Sequence, residues 1–315
     1  MNLAPFDDFK VSVVIPTYNR AHFLPEAIRS VLAQTVPVYE IIVVDDDSTD
    51  NTVEVLAPFG DKIRYFKQKN QGPSAARNYA MREAKGNWIA FLDSDDLWVP
   101  EKNQLQLEFL RQHPTIDFVF GNLTNFNEQK CDETPEILDA KVYAYFQANS
   151  AHLKDFLLQL LLCNPVPTSA ALFRTTTLPQ TGPLDEKMRY CEDYDFWLRL
   201  ALVGRVGFVD RILVKRRMHE CNAIKAYIAL CEGTLKAFNH LNQNAKLSAE
   251  AQQILNRRMT SIQYNLSSYR LKCGEFDEAS AGFAELRAKK SAGSLLWYAK
   301  VYTKSLMANT MRKLT

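Results

Sequence analysis

Apolar runs that alternate with amphipathic stretches divide the first part of the chain into strands and helices. β-Branched and aromatic runs predict strands at 11–16, 40–47, 62–68, 88–93 and 117–126. Apolar residues at helical spacing predict helices at 21–34, 51–59, 73–84 and 100–113. Because strands alternate with helices, we expect an α/β fold with a mostly parallel sheet and helices on both of its faces.

The pattern becomes less regular over 127–165 and changes again near residue 223. Further elements are predicted at 152–163 (helix), 168–174 (strand), 192–204 (helix) and 205–219 (strand). Beyond 223 the apolar spacing is entirely helical, and GEFDEASAGF (274–283) resembles the turn of one tetratricopeptide-like hairpin. The chain is therefore predicted to form an α/β domain over 1–222 and an all-α C-terminal extension over 223–315.

Charge is distributed unevenly between these two parts. The 315 residues carry a net charge of +2, but residues 223–315 hold 14 Lys and Arg against six Asp and Glu. This leaves 24 basic and 30 acidic residues in 1–222, a net of −6 against +8 for the extension. A basic tail indicates contact with an anionic surface, or simply a lysine-rich solvated helical face. No nucleic-acid partner is predicted.

The N-terminus and the apolar runs indicate where the protein is found. MNLAPFDDFK lacks the basic start, apolar core and cleavage site of a signal peptide. The densest apolar run, FLLQLLLC (156–163), is far shorter than the roughly 18 residues that a membrane span requires. The six cysteines include no C-x-x-C pair. We therefore expect a reduced, cytoplasmic protein, in peripheral contact with the inner face of the membrane if the basic tail binds it.

Acidic residues crowd the ends of the predicted strands. FLDSDDLW (91–98) places three carboxylates directly after a buried strand, so the cluster is either a solvated loop or a site for something positive. The polar positions Tyr18, Asp45–Asp47 and Asp93–Asp96 all follow strands. In parallel sheets the carboxyl ends of the strands share one edge, which is where ligands bind.

The sequence lacks the glycine-rich loops that hold phosphates through backbone N–H groups. Neither G-x-G-x-x-G nor G-x-x-x-x-G-K-[ST] occurs, and the first strand ends in PTYNR (16–20). Phosphates bound at this edge would need another source of positive charge. Carboxylate oxygens suit Mg²⁺ or Mn²⁺, which bridges diphosphate oxygens, so a divalent cation held by the FLDSDD segment is predicted.

These features together resemble the family-2 glycosyltransferases, which have the GT-A fold and use nucleotide-diphosphate sugars. The matching stretches are VSVVIPTYNR, EIIVVDDDSTDNT, NQGPSAARNYA, WIAFLDSDDLW, TGPLDEKMRYCEDYDFWLRLA and VKRRMH. They cover roughly residues 10–222, and the remaining 90-odd residues lie outside the resemblance. The resemblance implies a metal-dependent, inverting hexosyltransferase of polysaccharide biosynthesis, which moves sugar from the donor to a hydroxyl of a glycan or polyprenyl-linked acceptor.

The resemblance also assigns residues to the nucleotide. Pro16 and Tyr18 would contact the base, and Asp46 would accept a hydrogen bond from the N3–H of a pyrimidine, which favours a UDP- or dTDP-sugar. The alternative for Asp46 is a turn cap. Arg77 would also contact the nucleotide, the alternative being a surface arginine in an ion pair. Asp47 stands where relatives usually have glycine, so an altered turn is expected.

The family's D-x-D motif falls on Asp93, Ser94 and Asp95. Asp93 and Ser94 are assigned to the nucleotide, with the metal as an alternative partner for Asp93, while Asp95 would ligate Mn²⁺ or Mg²⁺ directly. His219 matches a histidine that approaches the metal or the diphosphate in relatives; the alternative is an ordinary strand-end histidine. Asp96 is assigned to a supporting role or to helix capping.

The catalytic base is assigned to Asp193 in CEDYDFW, and Glu192 is not expected to serve as the base. Both begin a predicted helix, so we expect the helix N-terminus to lower their pKa values; the alternative role is capping. Arg216 and Arg217 are candidates for holding the departing diphosphate, or are solvated.

Two other functions compete with glycosyl transfer. A nucleotidyltransferase would carry a glycine-rich loop after the first strand, which PTYNR does not supply. A catalytically silent sugar-nucleotide-binding or scaffold protein would need no base, and hydrolysis of the donor without acceptor would distinguish it from an enzyme.

Overall fold

The computed structural model describes residues 6–127, 130–132, 134–218, 223–288 and 303–307. The chain divides into two compact units, Met1–His219 and Glu220–Thr315, and each is described by itself. The boundary predicted from the sequence lies three residues further along the chain, after residue 222.

The described residues of the first unit form one eight-stranded sheet with helices around it. The strands are β1 (Val11–Thr17), β2 (Glu40–Asp45), β3 (Arg64–Lys67), β4 (Trp88–Phe91), β5 (Leu97–Trp98), β6 (Phe118–Phe126), β7 (Leu172–Arg174) and β8 (Val206–Arg217). The helices are α1 (Leu24–Leu32), α2 (Thr52–Leu56), α3 (Pro73–Glu83), α4 (Lys102–Gln112), α5 (Ala140–Ala148), α6 (Phe156–Leu162), α7 (Leu178–Thr181) and α8 (Glu192–Val203).

The strand order is β3-β2-β1-β4-β7-β6-β8-β5, and its first four strands are all parallel. Every residue of β1 is buried, as the unbroken apolar run VSVVIP predicts for a strand covered on both faces. The second half is mixed, because β7 runs antiparallel to both β4 and β6, whereas β6 and β8 are parallel. The predicted α/β architecture is confirmed, and its parallel part is the half that carries the acidic strand ends.

Helix α8 is fixed against the sheet by aromatic side chains. Phe196 and Trp197 are completely buried, and Trp197 stacks on Phe118 of β6 with ring centroids 5.0 Å apart. Phe91 of β4 and Phe173 of β7 contact both α8 rings at centroid distances between 5.3 and 6.4 Å. The N-terminal turn of α8, which carries the predicted catalytic base, is therefore held by the core.

The irregular stretch 127–165 holds more helix than the sequence pattern indicates. Helix α5 was not predicted, although Asp139 is a standard N-cap whose Oδ1 accepts hydrogen bonds from the N–H groups of Lys141 and Val142. The predicted strand 168–174 begins only at Leu172, because Thr168–Ala170 form a 3₁₀ turn.

The described part of the second unit is helical, as predicted. Its helices are α9 (Ala223–Asn244), α10 (Ala249–Lys272) and α11 (Phe276–Ala288). Gly274 turns the chain between α10 and α11 with a φ of +81°, and Ala279 and Phe283 of α11 are completely buried. No helix among the described residues is long and apolar enough to cross a membrane.

Asp47, in the turn after β2, has a backbone conformation that favours glycine. Asp47 has a φ of +71°, in the left-handed region that glycine adopts without strain and that aspartate tolerates better than most residues. Its carboxylate lies 3.3 Å from the Lys67 ammonium, in an ion pair with both side chains about half exposed, which adds little stability. Asp47 therefore carries backbone strain at a position where glycine would carry none.

We therefore expect the free energy of unfolding to follow the order Asp47→Gly, wild type, Asp47→Ala, from most to least stable. Glycine relieves the left-handed strain and alanine increases it, each by up to about 1 kcal/mol. Urea denaturation at high salt, where the Lys67 ion pair is screened, measures the three values. An alanine variant as stable as the glycine variant would show that this φ carries no strain.

Candidate active site

A cleft of about 850 Å³ opens where β1, β2 and β4 end. Its lining includes all six residues assigned to the nucleotide: Pro16, Tyr18, Asp46, Arg77, Asp93 and Ser94. Asp95 follows Ser94 directly, and Asp193 lies in the first turn of α8, three residues after Tyr190 of the cleft wall. His219 lies outside the described residues, so the structure does not test its assignment.

Asp46 organises the loop that forms one side of the cleft. The Gln68 side-chain amide and the Gln71 backbone N–H donate hydrogen bonds to its Oδ1 at 2.8 and 2.9 Å, and the Gly72 N–H donates to Oδ2 at 2.7 Å. The turn-cap role falls instead to Asp45, which accepts from the Ser48 N–H at 2.8 Å. Asp46 is buried, and Oδ2, with a single donor, retains acceptor capacity toward the cleft.

The loops after β1 and β2 are joined to each other beside this carboxylate. The Asn19 N–H donates to the Ser48 hydroxyl at 2.9 Å, and the Asn19 side-chain oxygen accepts from the Thr49 N–H at 2.8 Å. Tyr18, next to Asn19, remains 47% exposed and lines the cleft. An exposed ring on a loop fixed in this way is suited to stacking on a planar base.

Arg77 lies at the centre of the charged side chains. Gly72, with a φ of +92°, and Pro73 begin α3 and place Arg77 one turn into the helix. Its Nη2 donates to Asp93 at 2.6 Å and its Nη1 to Glu192 at 2.9 Å, and it is only 5% exposed. These two carboxylates raise the pKa of Arg77 against the effect of burial. Arg77 is therefore a buried ion-pair centre, and the alternative of a surface arginine is wrong.

Each of the two half-buried carboxylates of the D-x-D motif has a cationic partner. Asp93 pairs with Arg77, and the Asp95 carboxylate lies 3.6 Å from Nε of Arg20, which also lines the cleft. These arginines reduce the repulsion between the two carboxylates that the sequence brings together.

Asp96 is the buried member of the cluster. The Ser169 hydroxyl donates to its Oδ2 at 2.6 Å and the Arg217 N–H to its Oδ1 at 3.2 Å. Burial, and then the negative charges of Asp93 and Asp95, raise the pKa of Asp96 to about 7. Asp96 therefore supports the loop, and the alternative of helix capping is wrong.

The donor set of this loop fits a hard divalent cation. The described residues contain no preformed group of three or more His, Cys, Asp or Glu side chains around one metal position. Mg²⁺ does not require such a cage, because it commonly binds through one or two carboxylates together with the phosphates of a substrate. Asp95, with Asp93 beside it, supplies carboxylate oxygens of this kind next to the cleft.

Asp193 and Glu192 occupy different environments although they are adjacent. The Thr168 hydroxyl donates to Oδ2 of Asp193 and the Tyr194 N–H donates to Oδ1, whereas Glu192 pairs with Arg77. Burial raises the pKa values of both carboxyls, and for Asp193 it outweighs the stabilising bond from Thr168. The predicted lowering of these pKa values by the helix N-terminus is therefore wrong, since desolvation is the larger effect.

No role is predicted from the sequence for the segment that forms the second wall of the cleft. It consists of the segment 186–190, which leads directly into α8. Buried Asn78 of α3 holds this segment: its side-chain amide exchanges two 2.9 Å hydrogen bonds with the backbone of Leu184 and donates a third to Glu186. In the sequence this role is indicated by an amide side chain that follows Arg77 on the same helix. The partners of that amide, however, lie more than one hundred residues away.

Arg216 and Arg217, the candidates for holding the diphosphate, both have carboxylate partners. Arg216 pairs with Glu136 at 2.8 Å and Arg217 with Glu26 at 2.7 Å. The Arg217 Nε also donates to the backbone oxygen of Asp95 at 3.2 Å, so this side chain stabilises the backbone of the D-x-D loop. The alternative that they are simply solvated is wrong.

Comparison with known proteins gives the same fold and family. S. aureus TarS, in a crystal structure with UDP-GlcNAc, matches with a TM-score of 0.66 at 21% identity over 96% of this chain and 92% of that one. This likeness shows the fold, which is the predicted GT-A type. An uncharacterized glycosyltransferase of Rickettsia felis is 37% identical over 67% of this chain, and this chain spans 33% of its length.

One of the relatives has a name that states a specific activity. The Escherichia coli UDP-Glc:α-D-GlcNAc-diphosphoundecaprenol β-1,3-glucosyltransferase WfgD is 33% identical over 65% of this chain and 74% of its own length. The sequence model of glycosyl transferase family 2 matches residues 12–175, which is half of the chain. The resemblance found in the sequence is therefore confirmed, and the chain belongs to glycosyltransferase family 2.

Proposed function

We propose that this chain is an inverting hexosyltransferase that transfers sugar from a UDP- or dTDP-sugar to a hydroxyl of a glycan or polyprenyl-linked acceptor. One observation carries the proposal: the Arg77 guanidinium bonds to Asp93 of the D-x-D motif on one side and to Glu192, next to Asp193, on the other. The donor-binding and base-bearing segments are thereby joined through one side chain beside the cleft. An inverting displacement requires the donor diphosphate and the base to act on the same sugar, so the two segments that carry them must lie close together.

Asp46 and Tyr18 support a pyrimidine nucleotide. The Asp46 carboxylate can accept a hydrogen bond from the N3–H of uracil or thymine, whereas the corresponding ring nitrogen of adenine carries no hydrogen. The names of two similar proteins agree, since WfgD is named for UDP-Glc and TarS was crystallised with UDP-GlcNAc. The WfgD name also includes a diphosphoundecaprenol acceptor, which supports the proposed lipid-linked class.

The proposed reaction is a single displacement. Asp193 takes the proton of the acceptor hydroxyl, whose oxygen attacks the anomeric carbon while the bond to the diphosphate oxygen breaks. The electron pair leaves with the nucleoside diphosphate, and configuration inverts because attack and departure occur on opposite faces. The raised pKa of Asp193 makes it a stronger base than an ordinary aspartate, and Thr168 with the Tyr194 N–H fixes its orientation.

Asp95, with His219, would hold Mn²⁺ or Mg²⁺, which would neutralise charge on the departing diphosphate. Arg20 now lies beside Asp95 and would share that carboxylate with the ion.

Asp193→Asn is expected to lower turnover by about 10²- to 10⁴-fold, because the amide keeps the side-chain shape but cannot accept the proton. The affinity for UDP should stay within a few-fold of wild type. Glu192→Gln is the matched control: it removes an Arg77 ion pair but not the base, so its loss of turnover should be smaller. Initial rates at saturating donor and acceptor measure both.

Retention of most turnover by Asp193→Asn would exclude it as the base. If the wild-type protein binds UDP-sugars but neither transfers nor hydrolyses them, the silent binding protein is the better description.

Metal dependence is tested by calorimetry with UDP in Mn²⁺ and in chelator. We expect UDP to bind at least tenfold more tightly with Mn²⁺, and Asp95→Ala to abolish that difference while an exposed control, Asp61→Ala, preserves it. Binding of GDP as tight as UDP would contradict the pyrimidine assignment, and equal UDP affinity in both buffers would contradict the metal.

The basic extension is proposed to bring the enzyme to the anionic inner face of the membrane. Its net charge of +8 should give binding to anionic vesicles that weakens as salt is added. Reversing two exposed charges, Lys246→Glu with Arg257→Glu, should weaken binding, unlike Lys62→Glu with Lys85→Glu in the first unit. Equal binding of both variants would assign the extension to structure or partner docking.

A further inference from the structure

The charged side chains that line the cleft can be sorted by whether they have a partner. Five of the seven do: Asp46 accepts three hydrogen bonds, Arg77 pairs with Asp93, Arg20 lies beside Asp95, and Glu186 accepts from the Asn78 amide. The remaining two are Lys187 and Arg189. Neither side chain has an ion pair or a hydrogen bond within the part of the chain that the structure describes.

Lys187 and Arg189 are both exposed side chains that line the cleft. Met188 between them is 3% exposed and points into the protein, whereas both cationic side chains are exposed. The chain turns between Asp185 and Met188, and burial of Met188 leaves the cation on either side of it exposed. Because both cations line the cleft, they border the space that the ligands would occupy.

The segment is fixed at both ends rather than being a loose surface loop. Asn78 holds Leu184 and Glu186 before the two cations, and Arg77 holds Glu192 after them. A turn in which the Lys187 and Met188 N–H groups donate to Asp185 adds a further constraint. Two cations on a constrained segment lose less conformational entropy when they bind an anion than cations on a mobile loop.

We propose that Lys187 and Arg189 form a phosphate-binding subsite in the cleft that Asp93 and Ser94 of the D-x-D motif also line. The inference rests on the proposed function for its ligand but not for its geometry. An arginine offers a planar fork and a lysine a point charge, and this pair is a common combination for phosphate. The other two cations of the cleft, Arg20 and Arg77, already face protein carboxylates, so Lys187 and Arg189 can bind an anion without displacing one.

Two substrates of the proposed reaction can supply the phosphate. One is the diphosphate of the donor, and the other is a phosphate or diphosphate carried by the acceptor. The cleft volume of about 850 Å³ lies toward the upper end of the usual range for ligand sites, which leaves room for both.

The experiment measures binding and does not depend on transfer. Lys187→Gln, Arg189→Gln and the double variant are compared with wild type and with the exposed control Lys62→Gln, all in excess Mg²⁺. Calorimetry gives the affinity for UDP, for uridine, and for inorganic pyrophosphate with and without saturating UDP. Thermal melts check that each variant keeps its fold.

If the subsite holds the donor diphosphate, UDP binding should weaken about tenfold or more in the double variant while uridine binding is unchanged. If it holds the acceptor phosphate, UDP binding should be unchanged, and pyrophosphate should bind the UDP-saturated wild type but lose about tenfold in affinity in the variants. Affinities for UDP and pyrophosphate that match wild type throughout would overturn the proposal. A protein that failed to transfer sugar would still report on this subsite.

Discussion

The buried guanidinium of Arg77 is the interaction on which the candidate site depends. A buried charge is stable only when it is paired, and Arg77 satisfies this requirement with carboxylates from two distant parts of the chain, Asp93 after β4 and Glu192 at the start of α8. Loss of either carboxylate would leave a buried positive charge only partly compensated. Asn78, the next residue of α3, holds the segment that precedes Glu192. One helix therefore sets the spacing between the two walls of the cleft.

The three carboxylates that follow β4 can lie close together because each has a different environment. Asp93 is neutralised by Arg77, Asp95 lies near Arg20, and Asp96 is buried with its pKa raised to about 7. Two of the three negative charges are thus held in ion pairs, and the third belongs to a carboxyl that is protonated more easily than an ordinary aspartate. Lys187 and Arg189 differ from these side chains, because neither has an ion pair among the residues that the structure describes.

Much of the fold could be predicted because the strands of the parallel half of the sheet consist of continuous apolar runs such as VSVVIP, each followed by polar residues. The antiparallel direction of β7 and the presence of helix α5 were not predicted, since both depend on tertiary contacts that the local pattern does not contain. The same limit applies to the site. One of the two partners of Arg77 lies 115 residues away, and Thr168 lies 25 residues from Asp193. The raised pKa of Asp193 follows from burial that only the folded chain reveals.

The pairing of β6 with β8 has a consequence for how the first unit folds. β6 is complete at Phe126, but its parallel partner runs from Val206 to Arg217, and the same partner supplies the N–H that bonds to Asp96. During synthesis, β6 must therefore wait some eighty residues for one of its neighbours, with its edge and the acidic loop exposed. Such distant pairing slows folding and leaves a strand edge open to association with other chains. The late strand β8 thus supplies both the second neighbour of β6 in the sheet and one of the two donors that support Asp96.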